Sequence, residues 1–253
     1  MLPADIAFWA LAVVATFLVG ASKGGVPGVG ILAVPVLSQV ISPVVAAGLL
    51  LPLYVLSDWY GLWLYRKDYD AWNIRIMSFA AAIGIGIGWA TAHYNSDELV
   101  KFMVGVIGIW YTIDLILKNR RRNPEPKPAD VPRGLFWGAI TGFTSFVAHA
   151  GGTPFQMYVL PQRLEKMVYA GTATISFAII NMLKLPPYFL LGQINIQSLE
   201  KCAWLAPVAL FGAWAGFRLT KILPERIFFR AVEVALFLVS VKLIWDAVSH
   251  WMA

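Results

Sequence analysis

A chain of 253 residues that is 59% hydrophobic and only 13% charged has too little polar surface to clothe a water-soluble globule of its size. Its net charge of +6 sits in short clusters of Lys and Arg without interleaved aromatic residues, which excludes a nucleic-acid surface. The lone Cys202 excludes a disulfide framework, and His93, His149 and His250 are scattered without ligand spacing, so neither metal nor cofactor is expected.

In chain order, residues 1–20 lack a cleavable signal pattern and belong to the fold. Residues 5–43 carry Gly20, Gly24, Gly25, Pro27, Gly28, Gly30 and Pro35. At about 1.5 Å per residue, the part after the glycines, residues 31–41, is too short to cross a hydrocarbon core of about 30 Å. The spacing predicts a helical hairpin whose tip stops inside the membrane. Apolar stretches at 44–65, 74–92 and 100–117 follow, each approaching the roughly 20 residues of a span. Residues 119–132, with Pro124, Pro126, Pro128 and Pro132 among charges, read as a solvated linker. A second broken hairpin is predicted over 134–162, with a return arm at 155–160 and helices restarting after Pro27 and Pro154, and then spans at 168–191, 202–219 and 227–248.

Motifs recur across the linker. Gly24-Gly25-Val26-Pro27 matches Gly151-Gly152-Thr153-Pro154, Ala47-Gly48 matches Ala170-Gly171, and the Gly84/Gly88 pair matches Gly212/Gly216. Arg66, Lys67 and Arg75, the basic run from Lys118 to Arg133, Arg163 with Lys166, and Arg218 to Arg230 are assigned to the cytoplasm, and loops 93–98 and 192–198 to the outside. Asp97 then lies outside where its counterpart Glu225 lies inside. The expected fold is an all-α polytopic membrane protein of two inverted repeats, 1–118 and 133–253, joined by a cytoplasmic linker at 119–132, each repeat a broken hairpin plus three transmembrane helices.

Broken backbone at membrane depth is tolerated only inside protein or against a polar cavity, and helix ends restarting there present N–H groups to an anion. The substrate-binding candidates are therefore Ser22, Lys23, Gly24 and Gly25 on the first tip and Thr144, Ser145, His149, Gly151, Gly152, Thr153 and Gln156 on the second. The glycines are expected to permit positive φ and close approach of a ligand. Asn181 and Lys184 join them from the first long span of the second half, opposite Asp58 in the first half. Lys23 and Lys184 are expected to attract the anion, and Asp58 and His149 to carry a coupling proton. Gly84/Gly88 and Gly212/Gly216 read as packing pairs, and Lys242 with Asp246 as an i,i+4 pair.

With Gly20-Ala-Ser-Lys-Gly-Gly-Val-Pro-Gly-Val-Gly30 plus Pro35, and Gly142-Phe-Thr-Ser-Phe-Val-Ala-His-Ala-Gly-Gly-Thr-Pro154 plus Tyr158, the chain resembles the sulfite exporter TauE/SafE family of membrane permeases over its whole length. The resemblance implies a bacterial inner-membrane transporter of sulfite, a sulfonate or a related organosulfur anion, moving it outward with proton coupling. In the family's pattern asparagine is frequent where His149 stands, and the first block is often plain glycine where Lys23 stands. The expected partners are a small sulfur-containing anion, protons and the lipid bilayer, with no nucleic acid and with a homodimer left open. The alternatives are an uptake permease or channel for sulfur oxyanions and, third, a membrane-embedded enzyme or assembly factor, for which no acid/base set is legible.

Overall fold

The computed structural model describes residues 5–26, 28–92, 97–119, 126–194 and 196–252, and every regular element among them is helical. Pro27, and part of the loop and linker residues on which the orientation rests (93–96, 120–125 and 195), lie outside the described residues. Helix α1 (Ile6–Lys23) is followed by a 3-10 turn (Val29–Leu32), α2 (Ala33–Leu37), α3 (Pro43–Leu64), α4 (Ala71–Ala90) and α5 (Asp97–Asn119). After the linker come α6 (Val131–Ala148), α7 (Gly152–Val159) with a 3-10 turn (Leu160–Gln162), α8 (Lys166–Leu190), α9 (Ile196–Ile222) and α10 (Glu225–Met252). The same order therefore occurs twice: one helix, a break, a short helix and three long helices.

Among the described residues, five helices are long and apolar enough to cross a membrane: α1, α3, α4, α8 and α9. This differs from the six stretches read from hydropathy. Helix α1, read as one arm of a hairpin, is itself long enough, whereas α5 and α10 fall outside the group. Helix α5 carries Glu98 and Lys101, and α10 carries Arg226, Arg230, Glu233, Lys242 and Asp246. Lys242 and Asp246 do pair, at 2.9 Å. Aspartates cap three helix starts. Asp5 accepts from Phe8 N at 2.9 Å, Asp70 from Asn73 N at 2.7 Å and Asp130 from Arg133 N at 2.9 Å, which satisfies donors a helix leaves free at its first turn.

The chain forms two compact units that cut across the sequence halves. The first, Met1–Tyr69 with Ala170–Pro224, holds α1 to α3, α9 and most of α8; the second, Asp70–Tyr169 with Glu225–Ala253, holds α4 to α7 and α10. In the first unit α1 lies along α9, with Phe8, Ala12, Val19, Leu50 and Leu205 in the core. Glycines set that closeness: a Cβ on Gly20 would strike the carbonyl of Ala209, and one on Gly216 would stand 3.0 Å from the Cα of Ala21. In the second unit α4 lies along α6 in the same manner. Gly84 faces the carbonyl of Ala139, Gly142 faces Ala81, and a Cβ on Gly88 would meet the Phe146 ring at 3.0 Å. Both Gly-x-x-x-Gly pairs are packing surfaces, with small residues letting backbones approach. The first helix of each half thus packs on the fourth-position long helix of the other half, once in each unit.

Within α4, Gly84 and Gly86 separate packing from propensity, because a Cβ on Gly86 would meet nothing within 4 Å. Gly84→Ala is expected to lower stability by about 1–3 kcal/mol through overpacking, while Gly86→Ala is expected to hold or raise it by up to about 1 kcal/mol. Thermal unfolding of the purified variants in detergent measures both, and equal effects would remove the packing account.

Candidate functional site

In the first unit the site grows from the end of α1. The helix closes with Gly24 N donating to Gly20 O at 3.0 Å and Gly25 N to Ser22 O at 3.2 Å, and Gly25 then takes a left-handed φ of 97°. The carbonyls this break leaves open are taken up by side chains. Tyr65 Oη donates to Gly24 O at 2.6 Å, Thr220 Oγ1 to the same oxygen at 3.3 Å, and Thr174 Oγ1 to Lys23 O at 3.3 Å. Farther on, Tyr54 Oη donates to Gly30 O at 2.7 Å. An unsatisfied carbonyl in hydrocarbon costs several kcal/mol, so these four hydroxyls are what permits a broken helix at this place.

That end presents Lys23. Its Nζ lies 2.7 Å from Asp58 Oδ1 on α3, and Asn181 Nδ2 on α8 donates to Asp58 Oδ2 at 2.8 Å. Lys184, one turn past Asn181, belongs to the same group, electrostatically coupled to both Asp58 and Lys23. Lys23, Asp58, Asn181 and Lys184 are 4, 2, 5 and 0% exposed, so all four are removed from solvent. Aromatic rings flank the ammoniums: Tyr54 and Phe177 at 5.2 and 5.7 Å from Lys23, Tyr188 at 5.3 Å from Lys184, distances at which a ring face attracts a cation. A cavity of about 280 Å³ opens beside Asp58, walled by apolar side chains of α3 and α8 that include Val55, Leu62 and Met182. The four residues singled out from sequence as charged or polar within apolar runs are thus brought together.

The Cβ positions of this tip's glycines are taken up by protein. A Cβ on Gly24 would run into the α9 backbone at Ala213 and Phe217, and one on Gly25 into the Tyr65 hydroxyl. Both face protein. The Ser22 hydroxyl donates to Val19 O at 2.7 Å within its own helix.

In the second unit, α6 ends at Ala148 and the chain reverses at His149, φ 52° and ψ 25°, with Ala150 N donating to Thr144 O at 3.1 Å. The positive φ expected of the paired glycines therefore falls on the histidine; Gly151 has φ −63°, and Gly152 is not among the positive-φ glycines. Helix α7 begins at Gly152, so it restarts before Pro154, which sits in the first turn where its missing N–H costs nothing. Thr144 and Ser145 are buried, with the Thr144 hydroxyl donating to Ile140 O at 2.7 Å. Thr153 Oγ1 and Gln156 Oε1 have no hydrogen-bond partner among the described residues although both are buried. Buried polar atoms of that kind mark a place where a ligand or water belongs.

Sequence reasoning did not single out Tyr54, Tyr65, Thr174 and Thr220, which read as ordinary members of apolar runs. It also missed a buried amide pair in the second unit. Asn73 Nδ2 donates to Gln162 Oε1 at 2.7 Å, and Gln162 Nε2 returns a bond to Asn73 Oδ1 at 3.1 Å, which fixes the end of the second hairpin to the start of α4.

Apolar helices of spanning length, two helices broken and re-capped, and an ion pair with a second lysine buried among spans together define a multi-pass membrane protein with a polar site inside it. The sequence matches the family model Sulfite exporter TauE/SafE over residues 12–243, and the chain belongs to that family. No curated protein and no solved structure gives a match. The protein is accordingly a membrane transporter of the sulfur-anion class.

His149 supplies a test of the second hairpin that is independent of transport. Asparagine and histidine are among the residues that tolerate a left-handed φ, and β-branched residues are not. His149→Asn is expected to fold as the parent does, whereas His149→Val should lose about 1–3 kcal/mol. Thermal midpoints of the two purified variants decide it; a Val variant as stable as the Asn variant would refute the backbone role.

Proposed function

We propose that the protein is a secondary transporter that exports a small sulfur oxyanion, sulfite or an organosulfonate, across the bacterial inner membrane in exchange with or alongside protons. The observation that carries this reading is the buried Lys23–Asp58–Asn181 network with Lys184 beside it. Ammoniums at span depth are costly unless they serve an ion path or a substrate. An anion entering beside Lys23 and Lys184 finds two positive charges in surroundings of low effective dielectric, and Asp58 is the group that competes with it for them. Protonation of Asp58 would release Lys23 to the anion, which gives a physical route to proton coupling. The groups that bear on Asp58 are Lys23 on α1, Tyr54 on its own helix, and Asn181 and Lys184 on α8. Within the other unit, the second hairpin carries two buried oxygens without a hydrogen-bond partner among the described residues, Thr153 Oγ1 and Gln156 Oε1, on α7.

The repeated element order and the reciprocal pairing of first and fourth-position helices support inverted repeats at 1–118 and 133–253, and the Lys and Arg of the linker at 119–132 favour its lying in the cytoplasm. Inverted repeats with broken helices at the site are a recurrent architecture for alternating access. Export follows the family's description.

Counterflow into proteoliposomes with sulfite, thiosulfate, sulfoacetate, taurine and isethionate, with and without a pH gradient, tests the reading. Lys23→Gln and Lys184→Gln are each expected to weaken anion binding by about tenfold or more, a loss of about 1.4 kcal/mol, while Lys242→Gln leaves it unchanged. Asp58→Asn is expected to bind substrate but no longer respond to the pH gradient. Unchanged affinity in both lysine variants would remove the cationic site, and unchanged gradient response in Asp58→Asn would remove its part in coupling.

A further inference from the structure

The cavity beside Asp58 lies between α3 and α8 of the first unit and has a volume of about 280 Å³. Val55 and Leu62 wall it from α3 and Ala178 from α8, and its inner end is marked by Asp58 and Ala178, each only 2% exposed. Its rim is different. Trp59, Met182 and Leu183 also line it and are 63, 44 and 38% exposed. Both helices are long and apolar enough to cross a membrane, so exposed apolar side chains along them face lipid. The cavity is therefore a crevice that runs from the lipid face to the flank of a buried carboxylate.

Neither water nor protein fits it. A buried water needs roughly two to four polar partners, whereas Val55, Leu62 and Ala178 offer none and Asp58 has turned Oδ1 to Lys23 and Oδ2 to Asn181. A helix of a second copy is about 10–12 Å across with its side chains, too wide for a crevice of this volume between two helices. A non-helical segment would carry unpaired N–H and C=O groups into hydrocarbon. An acyl chain has neither that width nor those groups, and it gives the wall atoms the dispersion contacts that a void forfeits.

We infer that the crevice between α3 and α8 is a lipid site, in which one acyl chain of a bilayer phospholipid lies against Ala178 and the flank of Asp58. The chain closes the Lys23–Asp58–Asn181 network on its bilayer side. Because α3 and α8 form the walls and also carry the two partners of the 2.8 Å bond between Asp58 and Asn181, a chain wedged between them bears on how closely those partners meet. This site stands apart from the identity and charge of whatever the network binds.

Full-length protein in phosphatidylcholine vesicles, a fraction of whose lipid carries a photoactivatable diazirine on one acyl chain, reads occupancy directly. Irradiation links the chain to what it touches, and peptide mass spectrometry maps the link. Phe79 on α4, 64% exposed, is the control for ordinary lipid contact. The unmodified protein is expected to be labelled at Phe79 and also at the inner end, on Ala178 or Asp58. Ala178→Phe and Val55→Phe, which fill the crevice from either wall, are expected to lower the inner label about tenfold and to leave Phe79 labelled as before. Label at Phe79 with none on Ala178 or Asp58 overturns the inference, whether water or a side chain of a second copy then fills the crevice. Undiminished inner label in a folded filled variant overturns it as well. Should both variants fail to fold, judged by gel filtration, the map of the unmodified protein decides alone. A protein that carries the inner label but transports no sulfur anion loses the proposed function and keeps this site, so the two failures are distinguishable.

Discussion

A carboxylate and an ammonium meeting at 2.7 Å in the interior of a membrane protein constrain everything around them. Neither Lys23 nor Asp58 could be buried singly, because removing one partner of such a pair leaves an uncompensated charge that costs about 3–5 kcal/mol. Their meeting requires α1 to stop where it does, since Lys23 is its last residue. It also requires the carbonyls exposed by that stop to find donors, which is the work of Tyr65, Thr174 and Thr220. It requires α8 to bring Asn181 to the remaining oxygen of Asp58. A single electrostatic contact is therefore held by residues from four helices and the end of α3, and the helix break is part of the same arrangement.

The long helices were legible because lipid makes apolar length a direct signal. The stretch 44–65 corresponds to Pro43–Leu64 and 168–191 to Lys166–Leu190. Stretch 202–219 falls short of Ile196–Ile222 because hydrogen bonding in a helix continues past its apolar run into residues such as Ser198 and Lys201, which hydropathy discards. The charged cluster was legible for the converse reason: Lys23, Asp58 and Lys184 interrupt apolar runs where an ionisable group is costly without a partner. What could not be read was the object each glycine faces. Absence of a side chain permits a ligand, a hydroxyl or a helix backbone to approach, and only the three-dimensional arrangement distinguishes Tyr65 beside Gly25 and α9 beside Gly24 from a bound anion. The Asn73–Gln162 pair was equally hidden, its members being 89 positions apart and each unremarkable for a helix end.

The two broken helices answer one constraint with different chemistry. Each must reverse at an interior position, and a reversal there calls for positive φ. The first supplies it with Gly25 and Gly28 and the second with His149. Glycine leaves the first turn without a side chain, and the buried ammonium there stands two residues earlier, on the helix itself, as Lys23. In the second hairpin the reversing residue carries a ring able to bond, and the paired glycines are released to the helical first turn of α7.

Hydrogen bonding follows the same division. Around the first break the open carbonyls of Lys23 and Gly24 are capped by protein hydroxyls, so the polar capacity left over is charge. Around the second, the Thr153 and Gln156 oxygens are buried without protein partners, and the polar capacity left over is neutral. A repeated backbone thus solves the hydrogen-bonding demand of the membrane interior twice, and because that demand is met by turns and caps, the side chains beside each turn are free to differ.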